Sequence, residues 1–473
     1  MASILKQLSD LIAASVHDID AACDARGIPF PSLDEPFSEE SERARQEQEV
    51  LSSIGIIVAA ATQLIAVARV PSNYLLSMVL QHTIPACLGA ANDGHVAEIL
   101  REAGPQGAHV NDIAERNGMN AARIGRVLRL LATHHIFREV TPDVFTNNRV
   151  SSLLDTGKPV EELLKFPLIK HDGTSGFSAA VGHQSDETFK HVAALSETLH
   201  DPVFGHSDEP NQCARSKAFN TDLSAFEWLE LPENSYRRRR FGVFMDGLSK
   251  VQLLDTSWSG FDFSSLPDGG LVVDVAGGIG SVSMVIAKAY PKLNIVVEDL
   301  PEVVRDAEKF WKANLAESFD SGRVRLVPHD MFTPQPEALR APDLFVLRGI
   351  LHDWSDTYAM KILKHLRAAA GPRTQLLIID SVLRYACPPD PQRTETFKVP
   401  KLVEPPAPLL ANMGGAASLH YAYDIVMLAL QNGQERTADQ FNELLRRAGW
   451  ELKEIKKPDS TGAWLPHVVA APL

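Results

Sequence analysis

From Leu271 onward, short apolar runs alternate with amphipathic stretches, and this alternation constrains the fold more than any other feature. LVVDVAGG, NIVVEDL, VRLVPHD, DLFVLRG and LLIIDSVL are the length of strands and apolar on both faces, as buried parallel strands are. SVSMVIAKAY, VVRDAEKFWKANL, AMKILKHLRAAAG and RTADQFNELLRRAG read as helices between or after them. The pattern predicts an α/β, doubly wound, Rossmann-like domain over residues 251–473. Ligands of such sheets bind outside the carboxyl ends of the strands, so the strand ends are where chemistry is sought.

The first strand, in Leu271–Gly280, runs into Gly277, Gly278 and Gly280 and then a helix. Small residues let backbone approach a ligand, and a helix start offers free N–H groups. The dinucleotide pattern GxGxxG is not matched, which counts against a nicotinamide oxidoreductase. The next strand ends in Glu298–Asp299, where a carboxylate can grip both hydroxyls of a ribose. Asp299 also reads as a helix cap before Pro301. The third strand ends in His329–Asp330–Met331, an acid able to accept from an adenine amino group and a side chain able to cover its ring. The fourth ends at Arg348 and leads into ILHDWSD. There His352 reads as a base, a metal ligand or a packed core residue. Asp353 is expected to point away from it, and Ser355 or Asp356 to cap the helix through Leu366. Thr437 to Gln440 has capping-box spacing, with Glu435 in the loop just before it.

The rest of the chain is mostly helical. Residues 1–95 predict a helical dimerisation segment whose apolar window, Ile54–Val70, is expected to be a buried packing helix and not a membrane span. Residues 96–155 read helix, helix, helix, hairpin, the winged-helix pattern. Arg123, Arg126 and Arg129 would serve DNA binding. A scaffold role is the favoured reading, because a net charge of −14 is poor for a nucleic-acid coat. Residues 156–250 predict a helical linker with pocket residues. There Phe241, Phe244 and Met245 read equally as an apolar wall for a flat acceptor or as a core stripe. Arg237 to Arg240 reads as a solvated helix start more readily than as a phosphate patch. Residues 384–419 predict a long Pro-rich loop. Four scattered cysteines and no signal-peptide pattern imply a reducing, cytoplasmic setting.

DVAGGIG, EDLP, HDMF, LRGILHDWSD, IIDSVL and NGQERTADQF occur in order over residues 271–441. In this the chain resembles the class I S-adenosylmethionine-dependent O-methyltransferases, in the branch of plant caffeate and flavonoid enzymes and fungal secondary-metabolite enzymes. AFNTDLSAFEWLELP and RRRFGVFMDGL look especially like the fungal polyketide-tailoring members. The resemblance implies S-adenosylmethionine as cofactor, with S-adenosylhomocysteine as product. It places Asp274, Gly277 and Gly278 at the methionine end, Asp299 at the ribose, Asp330, Met331 and Arg348 at the adenine, and counts Leu300 among the cofactor-binding residues. It makes His352 the general base, with Asp380 and Glu435 as its acids, and implies homodimerisation through the N-terminal helices. Two positions depart from the family pattern: Ala276 stands where the family has glycine, and Asp380 where plant members carry glutamate.

The chemistry fits that assignment. A phenol with a pKa near 10 is little ionised at pH 7, and a histidine of ordinary pKa about 6.5 can take its proton as the C–O bond forms. A carboxylate on the other ring nitrogen fixes the tautomer. The expectation is methyl transfer to a hydroxyl of an aromatic polyketide or related metabolite, without metal, nucleic acid or membrane span. Rival readings are methylation of nitrogen or carbon, non-methylating chemistry on the same fold, and a winged-helix regulator.

Overall fold

The computed structural model describes residues 2–253, 260–388, 397–398, 404–456 and 465–473. The chain forms two compact units: Met1–Ala193 with Leu223–Val251, and Ala194–Asp222 with Gln252–Leu473. The 156–250 region is therefore shared, with Ala194–Asp222 belonging to the second unit.

In the first unit, helices Ile4–Arg26 and Gln48–Ala68 pack around Ile19, Ala22, Cys23, Ala44 and Val50. Within one chain the window expected to pack is largely uncovered. Gln48–Ala68 buries only Val50, Ser53, Ala59 and Ala60, and Pro71–Leu80 buries nothing. Val70, Leu75 and Val79 are 61%, 65% and 61% exposed. The reason is geometric: helix Gln48–Ala68 is apolar on most of its circumference, and the hairpin partner covers only one side. Gln48–Ala68 and Pro71–Asp93 are long and apolar enough to cross a membrane by length and composition, with mean hydropathy 2.2 and 1.2.

Helices Val96–Ala103, Val110–Asn117 and Ala121–Thr133 follow, then the hairpin Arg138–Thr141 and Val144–Thr146, as expected. Asn120 caps the third helix through its side chain, and Gly118 takes the left-handed conformation that ends the second. The arginine run on helix Ser235–Leu253 proves fully engaged. Arg237 and Arg240 bond Asp186, Arg240 also bonds Glu187, Arg238 bonds Glu230, and Arg239 bonds Asp172. Arg238 and Arg239 are exposed, as a solvated start requires, whereas Arg240 is buried in its ion pairs. Successive helical positions point about 100° apart, so each guanidinium reaches a different acid.

The second unit is built on a seven-stranded sheet. Its strands are β1 Leu271–Val275, β2 Asn294–Asp299, β3 Val324–Pro328, β4 Leu344–Arg348, β5 Gln375–Ile379, β6 Trp450–Lys456 and β7 His467–Pro472. Their spatial order is β6-β7-β5-β4-β1-β2-β3. The first five run parallel, and β7 is antiparallel to both of its neighbours. Two clusters sandwich the sheet, one with Val296, Phe345, Leu363 and Trp450, the other with Ile295, Val297, Trp311 and Val346. Truncating any of these to alanine is expected to cost about 2–5 kcal/mol. The strand order reverses between β1 and β4, which opens the crevice at the carboxyl ends. The Pro-rich loop ends sooner than expected, because a helix begins at Ser418. Its residues 389–396 and 399–403 lie outside the described ones.

Candidate functional site

At the end of β1, Asp274 is 2% exposed and accepts from the Ser283 hydroxyl at 2.6 Å. Burial pushes its pKa up to about 6, with Asp299 and Glu298 adding repulsion against the opposing Ser283 bond and Arg348 charge. The turn that follows explains its small residues. A Cβ on Gly277 would fall 2.6 Å from Asp274 Cγ, so only glycine fits. Ala276 sits at φ 53°, a left-handed conformation that glycine adopts freely and alanine does not. A glycine at this position would carry no such strain, and this chain accepts the strain of alanine.

At the end of β2 the two adjacent acids separate, as neighbours on a strand must. Asp299 faces the glycine turn: Gly278 N–H donates to Oδ2 at 2.8 Å and Leu300 N–H to Oδ1 at 2.7 Å. Burial raises its pKa while these bonds oppose the rise. Each carboxylate oxygen keeps a lone pair for a hydroxyl. Leu300 is 43% exposed, an apolar side chain held open beside this acid. Beyond β3, the exposed Asp330 accepts from Phe332 N–H at 2.9 Å, and Met331 packs against the core. Arg348, at the end of β4, feels the charges of Asp274 and Asp380, while burial disfavours its cation.

His352 lies in the short turn Leu351–Asp353. Its Nδ1 donates to Glu435 Oε1 at 2.8 Å. Nε2 is left facing Gly349, where an added Cβ would sit 3.8 Å away. Asp353 does not point elsewhere, as expected from its adjacency: its Oδ1 is 3.6 Å from Nε2, because the tight turn brings neighbouring side chains round to one side. Asp380 is 1% exposed, with no hydrogen-bond partner at either carboxylate oxygen, and Glu435 Oε2 is likewise buried and unpartnered. Burial works against an imidazolium, but the Asp353 charge, the Glu435 hydrogen bond and the Asp380 charge outweigh it and push His352 up to about 10. Burial raises Asp380, Glu435 adds to the rise, and His352, Arg436 and the nearby Gly349 N–H, too poorly aligned for a full hydrogen bond, oppose it. Among the described residues, no cluster of three or more His, Cys, Asp or Glu is placed to hold a metal ion.

Two residues that the sequence reading missed hold this turn. Arg436 is fully buried and donates to the carbonyls of Leu351 at 2.7 Å and Trp354 at 2.8 Å, and to Asp356 at 3.0 Å. Gly433 brings the loop onto the same turn, where any side chain would collide with the carbonyls of His352 and Asp353. Both sit in NGQERT, the motif that pointed to Glu435. Thr437 and Gln440 form the expected capping box. Ser355 occupies the cap position of helix Asp356–Ala369, but its hydroxyl donates to the Asp208 carbonyl at 3.0 Å instead of capping. Phe241, Phe244 and Met245 lie on helix Ser235–Leu253 of the first unit, where Phe241 and Phe244 flank His183 at centroid distances of 5.3 and 5.6 Å.

These residues fit S-adenosylmethionine. The glycine-only turn would let a ligand approach the backbone, Asp299 keeps acceptor capacity that would suit ribose hydroxyls, and the buried carboxylates of Asp380 and Glu435 would suit a nearby sulfonium cation. Comparison with known proteins agrees. Residues 198–451 match the O-methyltransferase domain and residues 76–157 the O-methyltransferase dimerisation domain. An O-methyltransferase of Armillaria gallica is 55% identical over the whole of both chains. The 4-O-methyltransferase 1 of Phanerochaete chrysosporium is 40% identical, again over the whole of both. An O-methyltransferase from neocarzinostatin biosynthesis, solved with S-adenosylmethionine and 2-hydroxy-5-methyl naphthoic acid, shares the fold with a TM-score of 0.58. That match has 21% identity and covers 82% of this chain and 96% of the other.

Proposed function

The chain belongs to the S-adenosylmethionine-dependent O-methyltransferases of secondary metabolism, and on that premise we propose that it methylates a phenolic hydroxyl of an aromatic metabolite with His352 as general base. The observation that carries this reading is the 2.8 Å bond from His352 Nδ1 to the buried Glu435, which commits Nδ1 and leaves Nε2, beside Asp353 Oδ1 and Gly349, as the ring nitrogen free to take a proton. The bound cofactor supplies a methyl group already activated on a sulfonium. The protein's own task is to hold an acceptor oxygen in line and to manage its proton. Nε2 takes that proton, Glu435 holds the tautomer and stabilises the imidazolium, and Asp353 and Asp380 add negative charge beside it.

In the free enzyme the three acids keep His352 protonated near neutrality. One proton must therefore leave before Nε2 can accept another. Once it has left, a phenol of pKa about 10 and an imidazole near 10 are matched, so proton transfer between them is close to thermoneutral. Asp299, Leu300, Asp330, Met331, Gly277 and Gly278 hold the cofactor in this reading, and Phe241, Phe244 and Met245 contribute to acceptor recognition. The uncovered apolar face around Val70, Leu75 and Val79 adjoins the dimerisation-domain match, which supports a homodimer with a second copy covering it.

The test is mass spectrometry of products after incubation with methyl-labelled cofactor and a panel of phenolic polyketides. A mass gain of one labelled methyl on oxygen is expected. Methylation of nitrogen or carbon, or a rearranged product without label, would replace this reading.

A further inference from the structure

Beneath the cofactor rim lies a second buried cluster that the chemistry above does not use. Glu298 projects from β2 on the face opposite Asp299 and is 1% exposed. Its Oε2 accepts from Gln335 Nε2 at 3.1 Å, and its Oε1 faces His329 Nδ1 at 3.6 Å. Glu298 Oε1, His329 Nδ1 and Gln335 Oε1 are all buried without a hydrogen-bond partner. The other His329 nitrogen, Nε2, lies 3.2 Å from the Pro334 carbonyl and 3.1 Å from the Thr333 hydroxyl. Burial raises the Glu298 carboxyl, against the Gln335 bond and the His329 charge.

Backbone bonds tie the same groups to the rim. His329 N–H donates to the Asp299 carbonyl at 2.9 Å, and Gly277 N–H to the Glu298 carbonyl at 3.0 Å. The segment 329–335 is held to β2 at one end by the His329 backbone bond and at the other by the Gln335 side chain on Glu298, and Asp330 and Met331 lie between the two. Phe332, in the same segment, meets the Trp354 ring edge-on at 4.7 Å. A buried carboxylate with unmet hydrogen-bonding capacity is a poor way to fill space. An apolar side chain of the same size would stabilise the fold more, so the arrangement calls for a reason other than stability.

We propose that Glu298, His329 and Gln335 are positioning residues that set Asp330 and Met331 at a fixed height above the ribose acid Asp299, and so tune affinity for the cofactor. This rests on the assignment of Asp299, Asp330 and Met331 to the cofactor. The experiment uses the full chain and S-adenosylhomocysteine as probe, with affinity from calorimetry, thermal melting, and hydrogen exchange over residues 329–335. E298M is expected to melt at or above the wild-type temperature, bind the probe about tenfold more weakly, and exchange faster in that segment. Q335A is expected to weaken binding in the same direction. E298M and Q335A proteins that bind within twofold of wild type would overturn the proposal, as would weaker binding without faster exchange in 329–335. D299A separates the two readings. Loss of binding in D299A with normal binding in E298M sinks only the brace, and retained binding in D299A sinks the cofactor assignment with it.

Discussion

Replacing Glu435 by glutamine keeps the shape of the side chain and removes the charge that holds His352. The bond is 2.8 Å long, and the Glu435 side chain is 4% exposed, so solvent screens little of it. A hydrogen bond to a charged group under these conditions contributes about 1.5–3 kcal/mol, or about 1–2 pKa units. With His352 near 10 in the wild type, kcat/KM, which reports the free enzyme, should climb with pH from neutrality, break near 10 and level off above it. In E435Q the break should move down by about 1–2 units, because the imidazolium loses an acid that favours it. At the plateau the rate should fall about ten- to hundredfold, since the weaker base stabilises less positive charge in the transition state. Near pH 7 the deficit should be smaller, because more of the variant is already unprotonated. The assay is initial-rate methyl transfer from labelled cofactor between about pH 6.5 and 11. A break that stays in place, or one that moves up, would refute the electrostatic account of this pair.

Three further outcomes are expected. Asp274 is buried with a pKa pushed up to about 6, so its favourable contribution exists at pH below about 4 and is lost as pH rises through 6. D274N should therefore be more stable than wild type at pH 7.5, by up to about 3 kcal/mol, with no gain at pH 4, while S-adenosylhomocysteine binding weakens; denaturant melts at the two pH values check this. A276G should relieve the left-handed strain of about 1–2 kcal/mol less about 0.5–1 kcal/mol of glycine entropy, giving a slight rise in melting temperature; a clear fall would show that the strain argument is wrong. F241A should raise the acceptor KM at least about fivefold with unchanged cofactor affinity; a lower melting temperature with unchanged KM would make Phe241 a core residue only.

The strand ends were legible because uniformly apolar runs of strand length leave few other folds, and because glycine and acidic residues interrupt them at one rim. The pairing of His352 with Glu435 was legible only through the ordered motifs. Nothing local to either residue says that a loop 83 positions on will close over the turn. The roles of Arg436 and Gly433 were hidden for the same reason, since their partners are backbone carbonyls and carry no residue signature. Glu298 and Asp299 could not be told apart by pattern, because β2 is apolar on both faces and alternation marks neither as outward. The helices around Val70 and Leu75 read as buried because they are apolar. Hydropathy reports that a face seeks cover, not whether the cover lies in the same chain.

The account turns on His352 as the group that takes the acceptor's proton. The direct measurement pairs S-adenosylhomocysteine affinity by calorimetry with single-turnover methyl transfer, for wild type and His352→Ala, on the acceptor identified by product analysis. Affinity within about threefold of wild type, with transfer reduced at least about a thousandfold, is the expected result. Near-normal transfer in that variant would contradict it.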